Sequence, residues 1–392
     1  MPIKQLSEGG EAQKARPSQT LGRVVAFVTL FYLFLVSVKL MGLSLDLFGR
    51  GFAETLLRMG RSPSLCLFVG IFATGVLQSS GVVTSMIVVW GQAGMLPLEG
   101  TIAMVMGANI GTTITNLLVS LSMITRSEEF RRALAAAIVH DFFNVMAVIV
   151  FFPLELATGF LRKASLGAAG FFQHAGGAEL VNVMDLIVNP PAHAVYTLFL
   201  HGLGLPRTPV GIILMVLSIT FLFASLICIA RLMRKTVMKG LEAFFDKYLF
   251  RNSAAAMLFG VVLTVIVRSS SVATSLVVPL AGAGVLTVEQ IFPYTLGANM
   301  GTTFSAMLAA LVRPGQNVPG TTIPLGLTTA FAHLIFNSAG IILIYPIRFI
   351  PITLAKKFGE MASRRKSLAF VYIGIMFFGI PGAVILLSEL LS

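Results

Sequence analysis

Apolar runs and short charged clusters alternate along the whole chain, and their lengths predict its elements. The polar stretch 1–23 reads as a cytoplasmic tail, and 24–45 is the first uninterrupted apolar run. At about 1.5 Å per residue that run can cross a bilayer, so it reads as a retained transmembrane helix, not a cleaved signal. Residues 46–61 mix Arg50, Glu54, Arg58 and Arg61 with Phe48, Phe52, Leu56, Leu57 and Met59, the composition of an amphipathic interfacial helix. The next stretch, 64–93, is apolar but is split by Gln78-Ser79-Ser80-Gly81 into two runs too short to span, which predicts a re-entrant hairpin. Residues 96–123 carry Gly107-Ala108-Asn109-Ile110-Gly111-Thr112-Thr113 at their centre and predict a broken helix. A basic turn at 126–132 leads to a helix at 133–152.

Much of this pattern occurs twice. Residues 70–113 laid without a gap on 260–303 are identical at 18 of 44 positions, among them Ser79, Ser80, Thr84, Ser85, Glu99, Asn109, Thr112 and Thr113. His140 and Asn144 reappear, at a slightly larger offset, as His333 and Asn337. The chain therefore divides into repeat 1 (46–155), an extracytoplasmic connector (156–207), a transmembrane helix with a basic cytoplasmic linker (208–251) and repeat 2 (252–347). A basic loop and last transmembrane helix follow at 348–392. Repeat 2 predicts a hairpin at 254–283 with its tip at Arg268-Ser269-Ser270-Ser271, a broken helix at 288–311 and a helix at 321–345. With the basic segments 1–23, 126–132, 231–251 and 348–366 placed in the cytoplasm, the first hairpin enters from outside and the second from inside. Arg50, Arg58 and Arg61 then fall outside, a local exception. The fold predicted is an all-α polytopic membrane protein of two inverted-topology repeats, each with a re-entrant hairpin and a broken transmembrane helix.

Composition agrees. Hydrophobic residues are 56% of the chain, charged residues 11%, and mean hydropathy is +0.90, whereas soluble domains are about 25% charged. The net charge of +12 sits in loop clusters, the signature of cytoplasmic retention, and no nucleic-acid partner is expected. Two cysteines, Cys66 and Cys228, exclude a disulfide scaffold.

Polar groups at mid-membrane need partners. A single Ser or Thr there most often bonds back to the preceding turn, but the cluster Ser79, Ser80, Thr84 and Ser85 recurs whole as Ser269, Ser270, Thr274 and Ser275, which favours function. The second helix of each hairpin starts at its tip, so its free N–H groups and positive dipole end suit an anion. Broken-helix carbonyls with Asn, Thr and Ser oxygens suit a small hard cation such as sodium. Arg268 stands where repeat 1 has Gln78; its planar fork can grip an oxyanion bidentately, or it can snorkel or pair with distant Asp141. Asp141 is the acidic residue deep in an apolar helix, a cation ligand or proton carrier. His140 and His333 are better read as interhelical hydrogen-bonding groups, and they share a face with Asn144 and Asn337. A catalytic reading of His140 and Asp141 lacks a nucleophile or metal cluster, so an enzyme and a cofactor are not expected.

At these residues the chain resembles the type II sodium–phosphate cotransporters, over roughly 52–155 and 245–350. The family's Gln-Ser-Ser-Ser tip motif reads here Gln78-Ser79-Ser80-Gly81 and Arg268-Ser269-Ser270-Ser271. Its Gly-Ala/Ser-Asn-Ile-Gly-Thr stretch reads Gly107 to Thr113 and Gly297-Ala298-Asn299-Met300-Gly301-Thr302-Thr303, and its Phe-Arg-Arg…His-Asp-Phe-Phe-Asn segment reads Phe130-Arg131-Arg132 through His140 to Asn144. The connector lacks the cysteines of animal members, which suggests a bacterial-type member. The resemblance implies uptake of inorganic phosphate with sodium by alternating access, in the plasma membrane (the inner membrane if bacterial), sodium binding first. It implies phosphate contacts from Gln78, Ser79, Ser80, Arg268, Ser269, Ser270 and Ser271. Sodium contacts are expected from Thr84, Asn109, Thr112, Thr113, Asp141, Asn144, Thr274, Asn299, Thr302, Thr303 and Asn337. Ala135-x-Ala137-x-x-x-Asp141 fits the pattern of electrogenic members, with Asp141 on an extra sodium. Gly81 and Arg268 depart from the motif. Another oxyanion such as sulfate or arsenate, coupling to protons, phosphate export, an ion channel and a homo-oligomer all stay open.

Overall fold

A computed structural model describes residues 17–45, 47, 60, 62–202, 206–244, 252–312 and 315–390. They form α1 (Pro17–Leu45), α2 (Pro63–Leu77), α3 (Ser80–Gln92), α4 (Leu98–Gly111), α5 (Ile114–Leu121), α6 (Ser127–Thr158), α7 (Phe160–Phe172), α8 (Ala178–Gly202) and α9 (Arg207–Phe244). There follow α10 (Ser253–Val267), α11 (Ser270–Gly282), α12 (Val288–Val312), α13 (Leu325–Ile344), α14 (Phe349–Arg364), α15 (Ser367–Gly374), a π turn at Ile375–Gly379 and α16 (Ile380–Leu390). The fold is all-α and polytopic: among the described residues seven helices are long and apolar enough to cross a membrane. The two hairpins, α2–α3 and α10–α11, are each built from helices of 15 and 13 residues. At about 1.5 Å per residue neither arm reaches across a hydrocarbon core of about 30 Å.

Paired glycines let α2 lie directly on α4, and α10 on α12. A Cβ on Gly107 would fall 1.9 Å from Leu67 O, and one on Gly70 would fall 2.1 Å from Met104 O. The second unit repeats both approaches, Gly297 at 1.9 Å from Met257 O and Gly260 at 2.2 Å from Tyr294 O. Every residue in the second set is the repeat partner of one in the first. Small residues that bring backbones together are the usual device where lipid gives no hydrophobic drive to helix association. The repeated Glu99 and Glu289 also behave alike: Glu99 pairs with Arg162 of α7 at 3.0 Å, and Glu289 pairs with Lys356 of α14.

Several sequence expectations need correction. The break expected in repeat 1 falls at Thr112–Thr113, where Thr113 N bonds Ile110 O at 3.3 Å. The break expected at 288–311 is absent: α12 runs unbroken from Val288 to Val312. The glycines explain why. They serve close packing in both units, whereas at the break Thr113 Oγ1 has two acceptors, Ile110 O of its own helix at 2.9 Å and Asp141 Oδ1 at 2.8 Å. In repeat 2 the position of Asp141 holds Leu334, and Thr303 Oγ1 returns to its own helix at Met300 O, 2.7 Å away.

The connector 156–207 folds into α7 and α8. Its turn is fixed by Gly159, φ +64°, and by Glu155 Oε2 accepting from Leu161 N at 2.6 Å. The basic loop at 348–366 is largely helix α14, and the helix expected at 321–345 begins at Leu325. The interfacial helix at 46–61 lies outside the described residues apart from Leu47 and Gly60. The basic linker is helical through Phe244, and its remainder to 251 is likewise outside.

Gly107→Ala and Gly297→Ala should each lower thermal stability in detergent, at a cost of about 1–3 kcal/mol for forcing backbones apart. Gly167→Ala, with nothing within 4 Å of the added Cβ, should be neutral or stabilising; equal melting temperatures for all three would refute the packing account.

Candidate functional site

Both hairpin tips are made by the same two-residue turn. Gln78 and Arg268 adopt left-handed backbone, φ +51° and +59°, the sole non-glycine residues with positive φ among those described. Each closes the preceding helix, Gln78 N on Thr74 O at 2.8 Å and Arg268 N on Thr264 O at 2.7 Å. Ser79 and Ser269 then return to extended backbone and cap the next helix, their Oγ atoms accepting from Val82 N at 3.4 Å and Val272 N at 3.2 Å. Left-handed backbone favours glycine and costs about 1–2 kcal/mol in other residues. Its use at Gln78 and Arg268 marks side chains kept in spite of that strain.

The two tips meet at one cavity. Ser79, Ser80 and Gly81 line it from the first unit, and Thr264, Arg268, Ser269, Ser270, Ser271, Thr302 and Ser305 from the second. About 10 Å³ is open to water-sized centres, room for about one water, so a tetrahedral oxyanion enters only if the tips part. Gly81 offers no hydroxyl, but Ser305 Oγ lies 3.4 Å from where its Cβ would be and supplies one to the same wall. Arg268 is 4% exposed, and Nε, Nη1 and Nη2 have no hydrogen-bond partner among the described residues. It does not pair with Asp141.

Hydroxyl chemistry separates the groups. Ser79 and Ser269 accept at their caps, which leaves their O–H bonds to donate to an anion. Thr84, Thr112, Thr274 and Thr302 do the reverse: each donates back to a carbonyl of its own helix, at 2.8, 2.9, 2.8 and 3.2 Å. Their lone pairs are left for a donor or a cation. Thr274 also reaches across to Asn116 Oδ1 of α5 at 2.9 Å.

Between the units lies a buried amide lattice. Asn144 Nδ2 donates to Asn109 O at 2.8 Å, and its repeat partner Asn337 Nδ2 donates to Asn299 O at 3.3 Å. Cross-links join the halves: Asn299 Nδ2 to Asn144 Oδ1 at 3.0 Å, and His333 Nε2 to Asn109 Oδ1 at 3.3 Å. His140 faces Asn299 but makes no well-aligned bond, so the interhelical role is met by His333. Asp141 is fully buried to one side, its Oδ1 accepting from Thr113 and its Oδ2 from the Tyr372 hydroxyl of α15.

The structure thus brings Ser79, Ser80, Arg268, Ser269, Ser270 and Ser271 together at one cavity but leaves Gln78 exposed outside it. Of the cation candidates, Thr302 lines that cavity, the four asparagines form the lattice, Thr113 and Asp141 form a separate pair, and Thr303 bonds within α12. Sequence reading missed Thr264, Ser305 and Tyr372. Thr264 was within reach, because it repeats Thr74 one turn before a tip; an isolated hydroxyl in a long apolar helix gives no such signal.

Two short-armed hairpins whose tips meet at a polar cavity, among helices long and apolar enough to cross a membrane, define a polytopic helical membrane protein with a polar interior. The chain belongs to the Na+/Pi-cotransporter family, whose sequence profile matches residues 33–170 and 220–382. It is similar to sodium-dependent phosphate transport protein 2B of Pongo abelii and of Homo sapiens, each 30% identical with 94% of this chain and 66% of the relative covered. It is also similar to sodium-dependent phosphate transport protein 2A of Ovis aries, 30% identical over 97% of this chain and 70% of the relative. The chain therefore spans about two thirds of the length of these relatives. No solved structure matches it significantly.

Asn144→Ala would strip Asn109 O of a buried partner and leave Asn299 Nδ2 with Asn337 Oδ1 alone. An unsatisfied buried group costs about 1–3 kcal/mol, so a lower melting temperature in detergent is expected. An unchanged one would show that the lattice does not hold the halves together.

Proposed function

We propose that this protein is a secondary carrier that takes up inorganic phosphate with sodium across the plasma membrane by alternating access. The observation that carries the reading is the cavity between the tips. It offers an unpaired guanidinium, two capping serines with free O–H bonds and two helix N-termini, all donors, at the point where two half-length hairpins meet. A shell with this many donors and a buried guanidinium favours an oxyanion. Ser80, Ser270 and Ser271 add hydroxyls that can also accept, which suits the P–OH of hydrogen phosphate; sulfate, without a proton at neutral pH, cannot use that capacity.

In this mechanism the tips part toward one side, admit phosphate, close, and part toward the other. The repeats lie with opposite topology, so that one hairpin opens each way. Sodium is held by lone pairs of back-bonded threonines, by amide oxygens released from the lattice and by Asp141. Each cation lowers the electrostatic cost of carrying a divalent anion through a low-dielectric core. Asp141 holds an extra sodium with its fixed negative charge, and that additional cation carried in each cycle makes net transport electrogenic.

Radiolabelled phosphate uptake into proteoliposomes should require an inward sodium gradient, and an excess of unlabelled sulfate should compete poorly. Uptake without a gradient, or equal competition by sulfate, contradicts the reading. Asp141→Gly should abolish net charge movement while phosphate uptake persists; undiminished currents would remove Asp141 from the coupling.

A further inference from the structure

Arg268 packs against rings that do not belong to its own hairpin. Its guanidinium carbon lies 4.9 Å from the Phe34 ring centroid, 5.4 Å from Phe304 and 5.6 Å from Phe31. Phe31 and Phe34 sit one turn apart on α1, their centroids 6.3 Å from each other, and Phe304 sits on α12. Phe34 is fully buried. A guanidinium can be held in two independent ways. Aromatic rings attract its flat faces, while its five N–H bonds point outward in its plane toward oxygen lone pairs. Here the guanidinium carbon lies over three rings, and its nitrogens have no hydrogen-bond partner among the described residues. Ser79 and Ser269, the nearest capping hydroxyls, are themselves engaged as acceptors from backbone N–H. Arg268 lines the tip cavity with the hydrogen bonds of its guanidinium still unmade. The matching residue of the other tip, Gln78, is neutral and exposed.

We propose that Phe31, Phe34 and Phe304 form an aromatic cradle that positions Arg268 as a permanent counter-charge, so that the tip site binds phosphate without a sodium ion already in place. The proposal rests on the reading of the tip cavity as the phosphate site. It reverses the binding order expected from sequence: the fixed charge serves binding, and sodium is needed for the loaded tips to close and cross. It also gives α1, which lies outside both repeats, a part in substrate binding, with the three phenylalanines as positioning residues that act through Arg268.

The test is binding of ³²P-labelled inorganic phosphate to the purified full chain, in choline buffer and in sodium buffer, with sodium-induced thermal stabilisation measured in parallel. Wild type should bind saturably in choline. Phe34→Leu and the partly exposed Phe304→Leu should weaken that binding by about tenfold, the size of a desolvated cation–π contact, with sodium-induced stabilisation unchanged. Phe34→Tyr, which keeps the ring face, should restore it. Arg268→Gln should bind phosphate only when sodium is present, and Arg268→Lys, without the planar fork, should not recover wild-type affinity. Phosphate binding by wild type that strictly requires sodium would overturn the counter-charge, and wild-type affinity in both leucine variants would overturn the cradle. No phosphate binding in either buffer would overturn the underlying site as well.

Discussion

A helix that begins in the middle of a membrane exposes backbone N–H groups that lipid cannot satisfy. That constraint organises this protein. α3 and α11 both begin at mid-chain tips, each capped by its own serine, and their remaining first-turn donors face a shared cavity instead of hydrocarbon. Neither tip could stand alone. The glycine contacts of α2 on α4 and α10 on α12 then follow as the means of bringing the hairpins close, and the amide lattice as the seam that holds the two units in register.

The polar interior is sorted by what each group has left to give. Cap serines accept and keep a proton to donate, while threonines one turn further along donate and keep lone pairs. Two buried charged residues, Arg268 and Asp141, are kept apart from each other and covered by helices outside the repeats: α1 places rings against Arg268, and α15 places the Tyr372 hydroxyl against Asp141. Arg268 and Asp141 thus sit within one core without pairing with each other.

Much of this was legible in the sequence because repetition and polarity inside apolar runs are both written along the chain. The tips, the packing of Ser79, Ser80, Ser269 and Ser270 into one site, and the burial of Asp141 follow from those signals. What failed was interpretation of glycine. Gly297 and Gly301 look like helix breakers, yet they face Met257 O, Val261 O and Thr264 Cβ, so the same residue type that weakens an isolated helix here permits an unbroken one. The contribution of partner helices was also hidden: nothing about Phe34 or Tyr372 distinguishes them from other aromatics until the fold sets them beside Arg268 and Asp141.

The central claim is that the two tips close on a single phosphate. A cryo-electron microscopy map of the protein with sodium and phosphate tests it most directly. The account predicts tetrahedral density between Ser80 and Ser270, with two of its oxygens within hydrogen-bonding distance of the Arg268 guanidinium. Density elsewhere with the tips still closed on each other, for instance against Arg162 and Lys163 in the cavity beside Gln316, would contradict it.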